Sequence, residues 1–268
     1  MIYDTSYSEK LTARFEQSTA KINRAKFHIT NIETVLRDWT RADDFHIVTI
    51  QHDYRKQLAY LRFTFNELTF PATELALVIG DTFHNLKSSL DILWHVVMRE
   101  CHGEPSDYTK FPVENDRDKL AVPLAAAVKK KQITQTVMEF MLDTVKPYKT
   151  GNYAIWALHK LNIQDKHQLL IPILSILKFD DVYLENEMGT RLLENQFFLM
   201  DQSSSIRIDR LSVLNPLNQK IIVKDKGHAT ATVIFDLGIP FQGEAVVKSL
   251  KIMTEAVSGL VQAFDLLL

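Results

Sequence analysis

The stretch GDTFHNLKSSLDILWHVV, residues 80–97, carries apolar side chains at the spacing of a buried helix. Apolar residues recur every three or four positions, which keeps them on one side of a helix of about 3.6 residues per turn. We therefore predict a core helix from about residue 71 to residue 102. The apolar positions are Ile79, Phe83, Leu86, Leu90, Leu93 and Val97.

The opposite side of this helix carries a polar stripe, defined as Asp81, His84, Ser88, Asp91 and His95. It contains two imidazoles and two carboxylates, and it lacks the Lys/Glu alternation of a solvated helix face. This composition favours a shared cleft. The alternative is a set of buried hydrogen-bonded pairs that only fix the packing of neighbouring helices.

A second helix, in WALHKLNIQDKHQLL, clusters further groups of the same kind: His159, Asn162, Asp165 and His167. A helix rises about 1.5 Å per residue, so His84 and Asp91 are about 10 Å apart along the axis and cannot share one metal ion. Asp91 and His95, one turn apart, could bind a divalent metal with ligands from the second helix. No zinc-protease, nucleophile-elbow or phosphate-loop motif is present.

The two ends of the chain predict long amphipathic helices, with apolar or small residues in continuous seams. Alternating patterns near residues 45–65 and 197–236 predict antiparallel strands. We expect one α+β domain over residues 1–268: a long-helix bundle of four to five helices packed beside an antiparallel β-sheet of about five to six strands. The predicted helices lie near residues 8–41, 71–102, 134–145, 153–166 and 242–268.

Composition excludes several classes of protein. The chain is 46% hydrophobic and 24% charged, which is typical of a folded protein. Its formal net charge of -2 gives no global attraction to nucleic acid or membrane, so a phosphate contact would need a local patch. The chain has one cysteine, and it has no apolar run near the ~20 residues that a membrane span needs. The stretch MIYDTSYSEK shows no signal-peptide pattern. These features predict a cytoplasmic protein without membrane contact.

Four motifs in one order resemble a family of bacterial proteins of unknown function: GDTFHNLKSSLD, FPV at residues 111–113, KPY at residues 146–148 and LNIQDKH at residues 161–167. The family carries Gly-Asp-x-x-His-Asn-Leu-Arg-Ser-Ala-Leu-Asp, Phe-Pro-Ile, Gln-Pro-Tyr and Leu-Asn-x-x-Asp-Lys-His-Arg. The resemblance spans about residues 71–172.

A more distant likeness is to HEPN domains, helical bundles of which many cut RNA without metal by means of an Arg and a His a few residues apart, usually across a dimer interface. Asn162 matches the polar residue that follows the Arg there, and His167 matches the His. Position 161, where the Arg would stand, is Leu.

The HEPN likeness implies an RNA- or nucleotide-associated domain with a His/Asp/Asn cleft. In a nuclease of this kind, His167 would be the general acid or base and Asp165 and Asn162 would orient it. His84, with Asp91 on the same helix, would complete the cleft as the complementary proton donor. No cofactor is expected in this hypothesis. Two alternatives stay open: a divalent-metal protein using Asp91 and His95, and a non-catalytic homodimeric interaction module.

Overall fold

The computed structural model describes residues 13–42, 46–53, 55, 58–65, 69–170, 172–193, 198–200, 205–207 and 220–268. The chain divides into two compact units. The helical unit comprises Met1–Ile32, Glu74–Ile171 and Phe235–Leu268, and the strand unit comprises Glu33–Thr73 and Pro172–Ile234. Each unit is described by itself.

The described residues form six α-helices: α1 (Glu16–Arg41), α2 (Ala72–Glu100), α3 (Arg117–Lys129), α4 (Gln135–Phe140), α5 (Tyr153–His167) and α6 (Val246–Leu267). A π-helical turn, Met141–Val145, extends α4 and ends at Lys146, which has a φ of 52°. Helix α3 begins at Asp116, whose side chain accepts a hydrogen bond from the Lys119 backbone N–H. Helix α3 was not predicted and makes the helices more numerous than expected.

The described strands are β1 (His46–Asp53), β2 (Leu58–Phe65), β3 (Ile173–Asp180), β4 (Tyr183–Asn186), β5 (Arg191–Leu193), β6 (Phe198–Met200), β7 (Ser205–Arg207), β8 (Ile221–Asp225) and β9 (His228–Ile234). They pair antiparallel in three three-stranded sheets, in the orders β1–β2–β7, β6–β3–β9 and β5–β4–β8. The α+β class is therefore confirmed. The expectation of a single sheet of five to six strands is not supported.

Irregular pairing helps to explain why the strands form several small sheets. The register shifts between Leu174 and Ile176 in β3 and again between Leu184 and Glu185 in β4. Such bulges bend a strand, increase its twist and interrupt the ladder. The predicted hairpin at residues 45–65 corresponds to β1 and β2, which pair in regular register from His46 opposite Phe65 to Asp53 opposite Leu58.

The core of the helical unit contains the apolar side of α2 and that of α6. Leu86, Leu90 and Leu93 are fully buried, and Trp94 packs edge-on against Phe264 of α6 with ring centroids 6.5 Å apart. Helices α1 and α2 meet at Ser18 and Ser89, whose hydroxyls lie 2.7 Å apart and each donate to the other's backbone carbonyl. The small serines allow the two helices to approach closely.

None of the helices in the part of the chain that the structure describes is long and apolar enough to span a bilayer.

Candidate functional site

The polar stripe of α2 changes character along the helix. Asp81 and His84, at its N-terminal end, are exposed, whereas Asp91 and His95 are half-buried. His95 Nε2 lies 3.0 Å from the Thr109 carbonyl oxygen, in the loop that follows α2. The half-buried end of the polar stripe is therefore covered by the chain between α2 and α3. The polar contacts of this end lie around Asp91.

Asp91 forms an ion pair with Lys87, a residue that was not predicted for the site. The side chain of Lys87 is 7% exposed, and its Nζ donates to Asp91 Oδ1 one turn further along α2. The Phe111 backbone N–H donates to the same oxygen at 2.8 Å. Burial lowers the pKa of Lys87, and the Asp91 carboxylate partly opposes this shift. A carboxylate with two donors thus stabilises a nearly buried ammonium group.

His159 of α5 is within electrostatic range of Lys87 and Asp91. Its half-buried imidazole has a buried Nδ1 atom that makes no hydrogen bond with any residue the structure describes. Burial lowers the pKa of His159 to about 4, and the charges of Lys87 and Lys160 act in the same direction. The ring is therefore neutral at physiological pH. We call Lys87, Asp91 and His159 the lysine centre.

Further cations surround the lysine centre. Lys110 and Lys166 are exposed, and Lys160 is half-buried. The charge of Lys110 acts on both Lys87 and His159, and that of Lys166 acts on Lys87. The four ammonium groups of Lys87, Lys110, Lys160 and Lys166 therefore lie in the same region as the Asp91 carboxylate. The region can attract an anion even though the whole chain has a formal net charge of -2.

Asp165 lies at the crossing of α2 and α5. A Cβ atom on Gly80 would come within 2.4 Å of Asp165 Oδ2 and 2.8 Å of Oδ1, so only glycine allows this approach. Asp165 Oδ1 is buried and has no hydrogen-bond partner among the described residues. Burial raises the pKa of Asp165, the Leu170 backbone N–H opposes the shift, and the nearby Asp81 adds to it. The crossing brings Asp165 to α2, as a shared cleft would require.

The structure does not join Asp165 to His167. His167 is exposed at the last position of α5, while Asn162 is buried. Within the described chain, neither Asn162 nor Asp165 makes a side-chain hydrogen bond to the His167 ring. The predicted orientation of the imidazole by these two groups stays a prediction, and His84 is exposed on α2.

The residues considered for a metal site already have protein partners. Asp91 accepts from Lys87 and from the Phe111 N–H, and His95 contacts the Thr109 carbonyl. In the residues that the structure describes, no three His, Cys, Asp or Glu side chains are grouped so that they could hold a metal ion.

Sequence reasoning selected Asp91 but missed Lys87 and His159 as its neighbours. Lys87 and Asp91 are four residues apart in a helix, a spacing that brings opposite charges together. That spacing was the available signal for the ion pair. The sequence offered no comparable signal for the contribution of His159, because it depends on how α2 and α5 cross.

Comparisons with protein-family models, with curated proteins and with solved structures find no match for the chain.

Proposed function

We propose that the helical unit binds RNA or a nucleotide, with phosphate groups held by Lys110, Lys160 and Lys166 around the lysine centre. The observation that carries the proposal is the nearly buried Lys87–Asp91 pair, which acts electrostatically on His159, a residue whose Nδ1 makes no hydrogen bond within the described protein. Phosphate oxygens would accept hydrogen bonds from the ammonium groups, which act as mobile point charges.

Favourable interactions with the helix dipole explain the positions of only some of these cationic residues. Lys166 and His167 occupy the last turn of α5, where cations are favoured by the helix dipole. Lys87 has no such explanation, because it lies in the middle of α2 and its charge is removed from water. Buried ion pairs seldom add net stability, so a functional role for Lys87 is the more economical account.

The HEPN likeness supports the choice of ligand class. In that likeness the sequence LNIQDKH supplies the His-bearing helix, and here the same residues form the C-terminal half of α5, beside the lysine centre. The proposal concerns binding. Lys160 precedes the matched segment and Lys166 lies within it, and both could neutralise phosphate charge, whereas the bidentate contact of the missing Arg is not available.

The proposal is tested by the affinity of the full-length protein for a fluorescent oligoadenylate of about eight nucleotides. Replacing the exposed Lys110 and Lys166 by Ala together should weaken binding about tenfold near 0.1 M salt. The slope of log affinity against log salt should fall by about 1.4, since each contact to single-stranded phosphate contributes about 0.7. Fluorescence anisotropy measured over a series of salt concentrations gives both quantities.

A matched control removes two lysines elsewhere. Lys129 and Lys130 are exposed at the C-terminal end of α3, so their joint replacement by Ala produces the same change in net charge. The control should retain at least half of the wild-type affinity. Equal losses in the two double variants would mean that only overall charge matters, and failure of the wild-type protein to bind the oligoadenylate would overturn the proposal.

A further inference from the structure

An exposed aromatic groove lies in the helical unit between the start of α5 and the loop that precedes α6. It has a volume of about 600 Å³ and is lined by Tyr153, Ile239, Phe241, Gln242, Glu244, Lys248 and Ile252. Tyr153 and Phe241 meet edge to face, with ring centroids 5.3 Å apart. Tyr153 is 38% exposed and Ile252 is 39% exposed, so apolar surface of this groove faces solvent.

Hydrogen bonds fix the conformation of the loop that carries Phe241. The Phe235 N–H donates to the Glu244 carbonyl, and the Gly243 N–H donates to the Phe235 carbonyl. Phe241 has a φ of 62°, a conformation that bulky residues rarely adopt, and its N–H donates to the Tyr153 hydroxyl at 3.3 Å. These bonds hold the two rings in place, so a ligand would not have to order them.

Cations and a third aromatic ring connect the groove with the lysine centre. Trp156 is stacked at a tilt on Tyr153, with ring centroids 5.5 Å apart. Lys149 Nζ lies 5.3 Å from the centroid of the Trp156 ring and Lys160 Nζ lies 6.0 Å from it. Tyr153, Trp156 and Lys160 are three and four residues apart, so they share one side of α5. Lys160 also acts electrostatically on His159.

Aromatic faces beside ammonium groups are the recurring surface for unpaired nucleotides, because every base can stack while the cations contact the phosphates. A purely apolar ligand would leave these lysines without a role. The polar groups of the groove suit the edge of a base: Gln242 and Glu244 are exposed, and Glu244 pairs with Lys248 at 3.4 Å, where the pair is open to solvent.

We propose that the groove lined by Tyr153 and Phe241 binds an unpaired base of single-stranded RNA by stacking, while the phosphates of the same strand contact Lys110, Lys160 and Lys166 around the lysine centre. This inference rests on the proposed function and adds the base-binding surface to it. The strand would follow the exposed side of α5 from Tyr153 past Trp156 to Lys160, a distance of about 10 Å along the helix axis.

The test compares two probes, the oligoadenylate and inorganic tripolyphosphate, which carries phosphate charge without a base. Tyr153→Leu and Phe241→Leu should each weaken the binding of oligoadenylate at least about fivefold, since stacking on one base contributes roughly that much or more. Neither variant should change the binding of tripolyphosphate. Tyr153→Phe keeps the ring but removes the hydroxyl that accepts from the Phe241 N–H, so it should lose less affinity for oligoadenylate than Tyr153→Leu does.

Tyr108→Leu is the matched control, because Tyr108 is 90% exposed and does not line the groove. Circular dichroism verifies the fold of each variant. If a leucine variant unfolds, Tyr153→Phe is used for the test instead. Its binding of oligoadenylate, together with quenching of Trp156 fluorescence by the base, still reports stacking. Unchanged affinity in both leucine variants, with weakened binding in the Lys110/Lys166 variant, would overturn this inference and leave the proposed function standing. No binding of oligoadenylate to the wild-type protein would overturn both.

Discussion

At the scale of single residues, Lys87 is placed where a lysine is costly. Desolvation penalises its charge, and a single carboxylate, Asp91, offsets that penalty. Removing one member of such a pair leaves the other as an unpaired buried charge, which lowers stability. Replacing both members by apolar residues of similar volume often leaves stability unchanged or raises it. The stability that the pair adds is therefore a weak explanation for its presence.

His159 gives the lysine centre a pH dependence whose direction can be stated. Its pKa is about 4 in the folded protein, below the ordinary value of 6.5, so the unfolded chain takes up a proton first as the pH falls. The free energy of unfolding should decrease between about pH 6.5 and pH 4. Because the ring is half-buried, solvent screening reduces the effect, and we expect a slope below about 1 kcal/mol per pH unit.

Urea unfolding of the wild-type protein and of His159→Gln at several pH values measures this slope. The variant should lose less stability on acidification than the wild-type protein does. Asp165, whose pKa is raised, contributes in the opposite direction, but it is present in both proteins and cancels in the comparison. His84→Gln, at an exposed position of α2, should behave as the wild-type protein, and parallel curves for His159→Gln and the wild-type protein would refute the assignment.

At the scale of elements, the crossing of α2 and α5 depends on Gly80. Alanine is the better helix former by about 0.5–1 kcal/mol, but its Cβ would overlap the Asp165 carboxylate. We expect Gly80→Ala to lower the free energy of unfolding by about 1–2 kcal/mol, because the overlap costs more than the helix gains. Adding Asp165→Ala should restore most of the loss, and urea unfolding of the single and double variants measures both effects.

Gly259 of α6 provides the control for this change. A Cβ atom there would meet nothing within 4 Å, so Gly259→Ala should stabilise the protein by about 0.5–1 kcal/mol. If Gly80→Ala were stabilising to the same degree, the close approach of Asp165 to α2 would not exist in solution, and the lysine centre would lose its geometric basis.

Three of the predicted helices, α1, α2 and α6, have long apolar seams. The seam of α2 fixes which side is buried, and the structure buries the predicted Phe83, Leu86 and Leu90. Helix α3 escaped prediction because it contains Pro123 and buries only Leu120 and Leu124, so its periodicity is weak. Strand β3 escaped because ILSILKFD is apolar at adjacent positions and does not alternate cleanly.

The candidate site could be predicted only in part, because it depends on contacts between two helices that are distant in the sequence. Asp91 and Asp165 could be selected because their residue types are unusual on helices with apolar seams. Contacts between the two helices, such as that of Gly80 with the Asp165 carboxylate, are not reported by a sequence pattern. Lys87 and His159 therefore became visible as one group only in the folded arrangement.

At the scale of the whole molecule, charge decides where RNA could bind. A chain with a formal net charge of -2 repels a polyanion weakly at long range, so binding requires a local excess of cations. In the proposed function, Lys110, Lys160 and Lys166 supply that excess. Such binding should be strongly weakened by salt, as phosphate contacts are.

The most direct measurement is the nuclear magnetic resonance signal of the His159 imidazole while oligoadenylate is added to the full-length protein. We predict that the His159 signals shift and saturate with the same Kd that anisotropy gives, while those of the exposed His102 stay unchanged. Saturable binding of oligoadenylate with no change at His159 would contradict the account, because the ligand would then occupy a different surface.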